Sequence, residues 1–140
     1  AKMLYPVDIE TGGLSSALKT LASNAEKTLG VTCRFRCGKS VSVKNLVDAK
    51  QIYRIVQEAI TNAIKHGKTK NININLRLTK SGTVLSVKND GLDFPKLSPR
   101  SKGIGLKIMK YRTDLIGGSL DIRKGDKGGT VVTYIFQNGS

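Results

Sequence analysis

The chain has 140 residues, 39% of them hydrophobic, which suits one domain with a core of its own. Its apolar runs are too short to cross a bilayer and no signal-peptide pattern opens it, so we expect a cytoplasmic domain, although its parent protein could be membrane-anchored. A formal net charge of +14 favours anionic partners, but the lysines are spread along the chain and only 5% of residues are aromatic, so charge alone does not establish nucleic-acid binding.

The first elements in chain order are an irregular lead-in, a helix and a strand. Residues 1–13 contain a proline and paired glycines, and apolar residues from Leu14 onward recur at helical spacing up to a stop at Gly30. The next segment alternates like a strand and holds Cys33 and Cys37. Four residues of extended chain separate their Cα atoms by about 13 Å, too far for a disulfide, so we expect two reduced thiols.

An amphipathic helix is predicted over residues 48–67, with Asp48 as its N-cap and Gly67 just past its end. One face of this helix carries a carboxylate, an amide, an ammonium and an imidazole at helical spacing. Such a set suits a metal-bound polyphosphate, and a solvated helix face is an equal alternative. The members of this polar face are Glu58, Asn62, Lys65 and His66.

The remaining elements follow from alternation and from glycine breaks. They are a strand over 71–78, a turn at Ser81-Gly82, a strand over 84–87, a polar stretch over 88–102, a helix over 104–116 stopped by Gly117-Gly118, and strands over 120–123 and 130–136. Helices combined with mainly antiparallel strands in one short chain predict a two-layer α/β sandwich.

Two glycine-containing segments could complete an anion site with the polar helix face. Asn89-Asp90-Gly91 follows directly on a strand, where polar side chains could read a base edge, although a plain turn is favoured for this segment alone. Gly103 and Gly105 stand where a loop becomes a helix, and glycines there let backbone N–H groups approach phosphate. A lone Gly-x-Gly is weak evidence by itself.

In this order, three segments resemble the ATP-binding domain of sensor histidine kinases, in the superfamily shared with gyrase and MutL-type ATPases. QEAITNAIKHG resembles the N box, NDGLDF the first glycine box and KGIGLKIM the second, and GGTV over 128–131 is similar to the closing strand. The pair Lys65-His66 and the run GLKIMKYRTDLIGGSL point to the HisKA-3 type. The resemblance implies a Bergerat-type fold over residues 14–140, with a mixed, mainly antiparallel sheet and helices packed on one face.

The resemblance also implies roles for single residues. Asn62 would ligand Mg on ATP, and Glu58 is the candidate catalytic residue, placed to orient a water or the metal. Asn89 stands where the family has an Asp that accepts from the adenine amino group, and Asp93 stands where it has a second Gly. An uncharged acceptor weakens that bond by about 1 kcal/mol, and Asp90 is the alternative adenine contact. The implied nucleotide-binding residues are Asn62, Lys65, His66, Asn89, Asp90, Gly91, Lys102, Gly103, Ile104, Gly105, Leu106 and Thr130.

The implied function is that of a histidine kinase catalytic domain that uses ATP and Mg. It would donate the γ-phosphoryl group to a histidine on a separate dimerisation domain, whose junction the lead-in over 1–13 resembles. His66 lies inside the N box, so the acceptor would be elsewhere. The implied partners are that dimerisation domain, a response regulator and a second copy of the full-length protein. The alternatives are an anti-sigma-factor-type serine kinase with the same nucleotide site and a basic nucleic-acid-binding module.

Overall fold

The structure is a computed structural model that describes residues 13–38, 43, 45–65, 69–80, 82–91, 104–126 and 128–136. Three helices and five strands make up this described part of the chain, in the predicted order. They are α1 (Gly13–Leu29), β1 (Thr32–Cys37), α2 (Leu46–Lys65), β2 (Asn71–Thr79), β3 (Gly82–Asn89), α3 (Ile104–Leu115), β4 (Ser119–Lys124) and β5 (Thr130–Phe136).

The five strands form one sheet in the order β1-β2-β3-β5-β4. Strands β1 and β2 are parallel and are joined by α2, whereas the other three neighbouring pairs are antiparallel. The predicted mixed, mainly antiparallel sheet is therefore confirmed. Alternation along β2 buries Ile72, Ile74 and Leu76 on one side of the sheet and exposes the asparagines between them, as a half-buried strand requires.

All three helices contribute to one layer beside the sheet. Helix α1 packs on β1 and α2, while α3 packs on α2 and β4. The core between the layers includes the fully buried side chains of Leu18, Ile52, Ile55, Leu85 and Tyr134. Burial of each large apolar side chain stabilises the fold by about 1.5–3 kcal/mol. The predicted two-layer α/β sandwich is confirmed.

The start of α2 differs from the prediction. Its N-cap is Asn45, whose Oδ1 accepts hydrogen bonds from the backbone N of Val47 at 2.9 Å and of Asp48 at 3.2 Å. The prediction of Asp48 as N-cap is therefore wrong. Asp48 lies in the first turn instead, where a carboxylate interacts favourably with the helix dipole. The predicted end of the helix at Gly67 lies outside the described residues.

Helix α3 ends just before the paired glycines, as predicted. Gly117 has a φ of 68° and its N donates to the Asp114 carbonyl oxygen at 3.0 Å, while the Gly118 N donates to the Thr113 carbonyl oxygen at 2.9 Å. These two bonds form a Schellman motif, which satisfies the last carbonyls of the helix. Within the described residues, no helix has both the length and the apolarity needed to cross a membrane.

Candidate functional site

Two of the predicted site residues are neighbours at one end of the sheet. Asn89 is the last residue of β3 and pairs with Thr130, the first residue of β5, although the chain between them is 40 residues long. Both are buried, with Asn89 4% exposed and Thr130 0% exposed. The strand predicted to end at Val87 continues two residues further, so Asn89 belongs to the sheet and not to the turn after it. The sheet thus presents a buried polar pair below the helix layer.

Asn62 supplies a third buried polar side chain, from α2. Its residue is 7% exposed. A solvated helix face would leave this position exposed, so that alternative is wrong for Asn62.

Glu58 lies one helical turn before Asn62 and is half-buried. Burial of the Tyr134 hydroxyl on β5 raises its pKa far above its ordinary value, and the negative charge of Glu58 raises that pKa further. The carboxylate of Glu58 is thus on the helix side of the sheet, the side that also holds Asn89 and Thr130. Tyr134 remains a neutral hydroxyl at any physiological pH.

A short segment ties the end of α2 to the turn after β3. The Thr69 hydroxyl donates to the carbonyl oxygen of Ala63 at 2.8 Å. One carboxylate oxygen of Asp90 accepts from the backbone N of Lys70 at 2.8 Å and of Asn71 at 3.0 Å. The other accepts from the Asn71 side-chain amide at 2.7 Å. Residues 69–71 therefore connect Ala63, which follows Asn62 on α2, to Asp90, which follows Asn89 on β3. These bonds fix the position of the end of α2 relative to the end of β3.

Asp90 and Asn89, the two candidates for adenine recognition, differ in the hydrogen bonds that their side chains make. Desolvation acts to raise the pKa of the Asp90 carboxyl, but the bonds from Asn71 and Lys70 outweigh it, so the pKa is below its ordinary value. Both Asp90 oxygens are thus engaged in holding the turn. Asn89 is directed to the buried side of the sheet, and its Oδ1 accepts from the Gly91 N at 3.2 Å in an Asx-type turn.

Gly129 is a site residue that we did not predict from the sequence. It has a φ of 74°, and a Cβ at this position would overlap the carbonyl oxygen of Asn89 and lie 2.9 Å from the Cα of Asp90. Only glycine allows the chain before Thr130 to approach the end of β3 so closely. The paired glycines before Thr130 were the available signal. Thr69 and Asn71 carried none, because their roles depend on a partner distant in sequence.

Helix α3 begins at Ile104, where the second glycine segment predicts it. The helix is fastened to α2 by a hydrogen bond from Arg112 Nη1 to Gln51 Oε1 of 2.9 Å. The backbones of Ile104, Gly105 and Leu106 form its first turn. The positions of the side chains of Lys65, Ile104 and Leu106 are not described, and His66, Asp93, Lys102 and Gly103 lie outside the described residues, as does the lead-in over 1–12.

Residues 47–139 match the family described as histidine kinase-, DNA gyrase B-, and HSP90-like ATPase. The chain is 28% identical over 131 residues to the oxygen sensor histidine kinase NreB of Staphylococcus carnosus, covering 93% of this chain and 38% of NreB. It is 29% identical over 123 residues to the signal transduction histidine-protein kinase/phosphatase DegS of Bacillus subtilis, covering 84% of this chain and 32% of DegS. The chain therefore spans about a third of the length of these relatives.

A solved structure has the same fold. The histidine kinase domain of the blue-light activated histidine kinase of Erythrobacter litoralis EL346 superposes with a TM-score of 0.75 at 21% identity, over 89% of this chain and 61% of that one. At this identity the likeness concerns the fold alone. The described sheet and helix layer are those of this fold.

Proposed function

Because the chain belongs to the histidine kinase-, DNA gyrase B- and HSP90-like ATPase family, we propose that it is the ATP-binding catalytic domain of a sensor histidine kinase. In this role it holds ATP while the γ-phosphoryl group passes to a histidine on a dimerisation domain of the same protein. The bond between the γ-phosphorus and the bridging oxygen of ADP breaks, a phosphorus–nitrogen bond to the histidine forms, and ADP leaves. The similarity to NreB and DegS supports histidine over serine as the acceptor.

The observation that carries this proposal is the burial of Asn62 on α2, on the side of the sheet that also holds the buried pair Asn89 and Thr130. The Asn62 carboxamide oxygen is a hard ligand of the kind that Mg²⁺ accepts. Within the described residues, no group of three or more histidines, cysteines or acidic residues could hold a metal ion. Mg²⁺ usually combines one or two protein oxygens with substrate phosphates and water, so these residues fit a cation that arrives with its nucleotide.

Each residue of the site has a part in this proposal. Asn62 holds the cation, and Glu58 orients a water or the metal. Asn89 accepts from the adenine amino group, with Thr130 beside it on the neighbouring strand. Mg²⁺, when bound, neutralises charge on the phosphates, and the remaining acceleration comes from positioning. The phosphates would be met by Lys65, His66 and the glycine segment over 102–106.

The wider setting of the domain belongs to the same proposal. The acceptor histidine, the dimer and the cytoplasmic location are properties of the longer protein, in which a response regulator receives the phosphoryl group. The likeness of Lys65-His66 and of residues 105–120 to the HisKA-3 type agrees with the relatives found.

Calorimetric titration with Mg-ATP tests the site directly. Asn62→Ala removes the proposed metal ligand, so we expect the affinity to fall at least tenfold, which corresponds to about 1.4 kcal/mol. Thr61→Ala changes the exposed neighbouring position on the same helix and should stay within about twofold of the unchanged chain. Equal affinity of the Asn62→Ala and Thr61→Ala variants would remove the central support for the proposal.

The acceptor is tested with the full-length parent protein and γ-labelled ATP. A phosphohistidine is labile in acid, whereas a phosphoserine is stable there. We expect an acid-labile label that disappears with Asn62→Ala. An acid-stable label would identify the serine kinase alternative.

A further inference from the structure

The side of the sheet turned away from the three helices, here called the open face, is strongly cationic. Strand alternation and register place five exposed cations on it and bring the exposed amides of β2 between them. In the part of the chain that the structure describes, it also carries Asp121, and Asp90 lies at its end. The five cations are Arg34, Arg36, Arg77, Lys88 and Arg123.

The spacing of these cations follows from the register. Arg34 and Arg36 on β1 are about 7 Å apart along the strand, and Lys88 lies two strands from Arg34, about 10 Å away across Asn73. Arg77 extends the group along β2. The cations thus cover a broad surface across several strands and do not form a single groove.

The carboxylates on this surface are already engaged. Asp121 accepts from Arg123 Nε at 2.6 Å, and both oxygens of Asp90 are bonded to the segment before β2. Among the described residues, Arg34, Arg36 and Arg77 have no ion-pair or hydrogen-bond partner for their side chains. The open face therefore has a surplus of positive charge that no neighbouring side chain neutralises.

The choice of cation indicates what this surface binds. Of the six arginines in the described chain, four lie on this face, whereas Lys88 is the one described lysine on it, although lysine is much the commoner residue overall. Non-specific attraction to a membrane or a nucleic acid depends on charge and treats arginine and lysine nearly alike. A planar guanidinium binds a carboxylate or a phosphate through two parallel hydrogen bonds. Protein interfaces in particular are enriched in arginine and depleted in lysine.

Two further features agree with a protein partner. The half-buried side chains of Val131 and Ile135 on β5 add apolar surface to this face, with Val131 between Lys88 and Arg123, and interfaces combine such apolar surface with polar groups. Within the described strands the open face carries no aromatic side chain, so it has no platform on which bases of a single strand could stack.

We propose that the open face of the sheet is a docking surface for a protein partner that presents a cluster of Asp and Glu carboxylates. The surface is separate from the nucleotide site, which lies on the helix side. The proposal therefore does not depend on phosphoryl transfer.

The test uses this chain and a short fluorescein-labelled Asp/Glu peptide, with binding followed by fluorescence anisotropy at physiological salt. The decisive variant exchanges Arg34, Arg36 and Arg77 together for lysine, which keeps the charge but removes the bidentate fork. We expect the affinity to fall about tenfold. The corresponding exchange for glutamine should weaken it further.

A matched control exchanges the exposed Lys19, Lys27 and Lys110, on the helix layer, for glutamine. It removes as many charges as the arginine-to-glutamine variant and should change peptide affinity by about twofold or less, as screening at this salt predicts. Circular dichroism and Mg-ATP affinity should be the same for all variants, because every exchanged side chain is exposed.

Three results would overturn the proposal. One is peptide affinity that the arginine-to-lysine exchange leaves unchanged. Another is a loss in the lysine control as large as in the arginine variants. The third is tighter binding of duplex DNA, or of a vesicle of phosphatidylserine and phosphatidylcholine, than of the peptide in the same buffer. That result would identify the surface as a general polyanion site.

Discussion

The carboxylate of Asp90 offers the sharpest test of how the candidate site is held together. In Asp90→Ala, three hydrogen bonds are lost: those from the backbone N of Lys70 and of Asn71, and that from the Asn71 side chain. Bonds to a charged group are worth about 1.5–3 kcal/mol each when buried, but Asp90 is exposed, and solvent reduces each to about 0.5 kcal/mol. We therefore expect the free energy of unfolding to fall by about 1.5 kcal/mol.

Urea unfolding followed by circular dichroism measures this loss as a fall in midpoint of about 1 M. The control is Asp114→Ala, which removes an exposed carboxylate that accepts from Lys110 Nζ at 2.7 Å, one turn away on α3. Such a pair contributes about 0.3–0.5 kcal/mol. If Asp90→Ala lowers the free energy of unfolding no more than Asp114→Ala does, the hydrogen bonds through residues 69–71 do not hold the site together.

The pH dependence adds a second check on Asp90. Its pKa in the folded protein is below the unfolded value of about 4, so the charged form is the one that the fold stabilises. The stability difference between the unchanged chain and Asp90→Ala should be complete above about pH 5 and should shrink as the pH falls through the folded pKa. A difference that stays constant down to pH 3 would contradict this account.

Three other predictions concern the strands. Gly129→Ala should destabilise the fold by several kcal/mol, because its Cβ would overlap the Asn89 carbonyl, whereas Gly30→Ala, with a similar positive φ but open space around it, should cost about 1 kcal/mol in the same urea assay. Asn89→Asp should tighten Mg-ATP binding severalfold in calorimetry through a charge-assisted bond to adenine, and unchanged or weaker binding would refute the adenine contact. Burial, and secondarily the charge of Glu26, raise the pKa of the Cys33 thiol to about 11. Cys33 should therefore resist iodoacetamide at pH 8 while Cys37 reacts, which mass spectrometry of the peptides measures. Equal labelling of the two cysteines would refute this prediction.

Most of the fold could be predicted from local patterns. The alternation of β2, the helical spacing of α2 and the paired glycines after α3 each encode their element through side-chain direction or backbone freedom within a few residues. The cap of α2 was predicted wrongly because Asn45 and Asp48 are both good capping residues, and the choice between them depends on where the chain enters the helix.

The candidate site was predictable in its residue types but not in its arrangement. Asn62 and Asn89 could be named from the order of the glycine-containing segments, yet their burial depends on how α2 crosses the sheet. The hydrogen bonds from Lys70 and Asn71 to the Asp90 carboxylate could not be predicted, since the Asn89-Asp90-Gly91 segment alone is compatible with a plain turn.

The sequence by itself determined the elements, their order and the family to which the chain belongs, because those depend on short-range periodicity and on motifs that are contiguous in the chain. The tertiary structure alone decided that β1 pairs in parallel with β2, that Thr130 stands beside Asn89, and that the arginines gather on the open face. These are contacts between segments tens of residues apart, and they form when the whole core is buried at once. No local preference specifies such partners, since each strand could satisfy its backbone against several others.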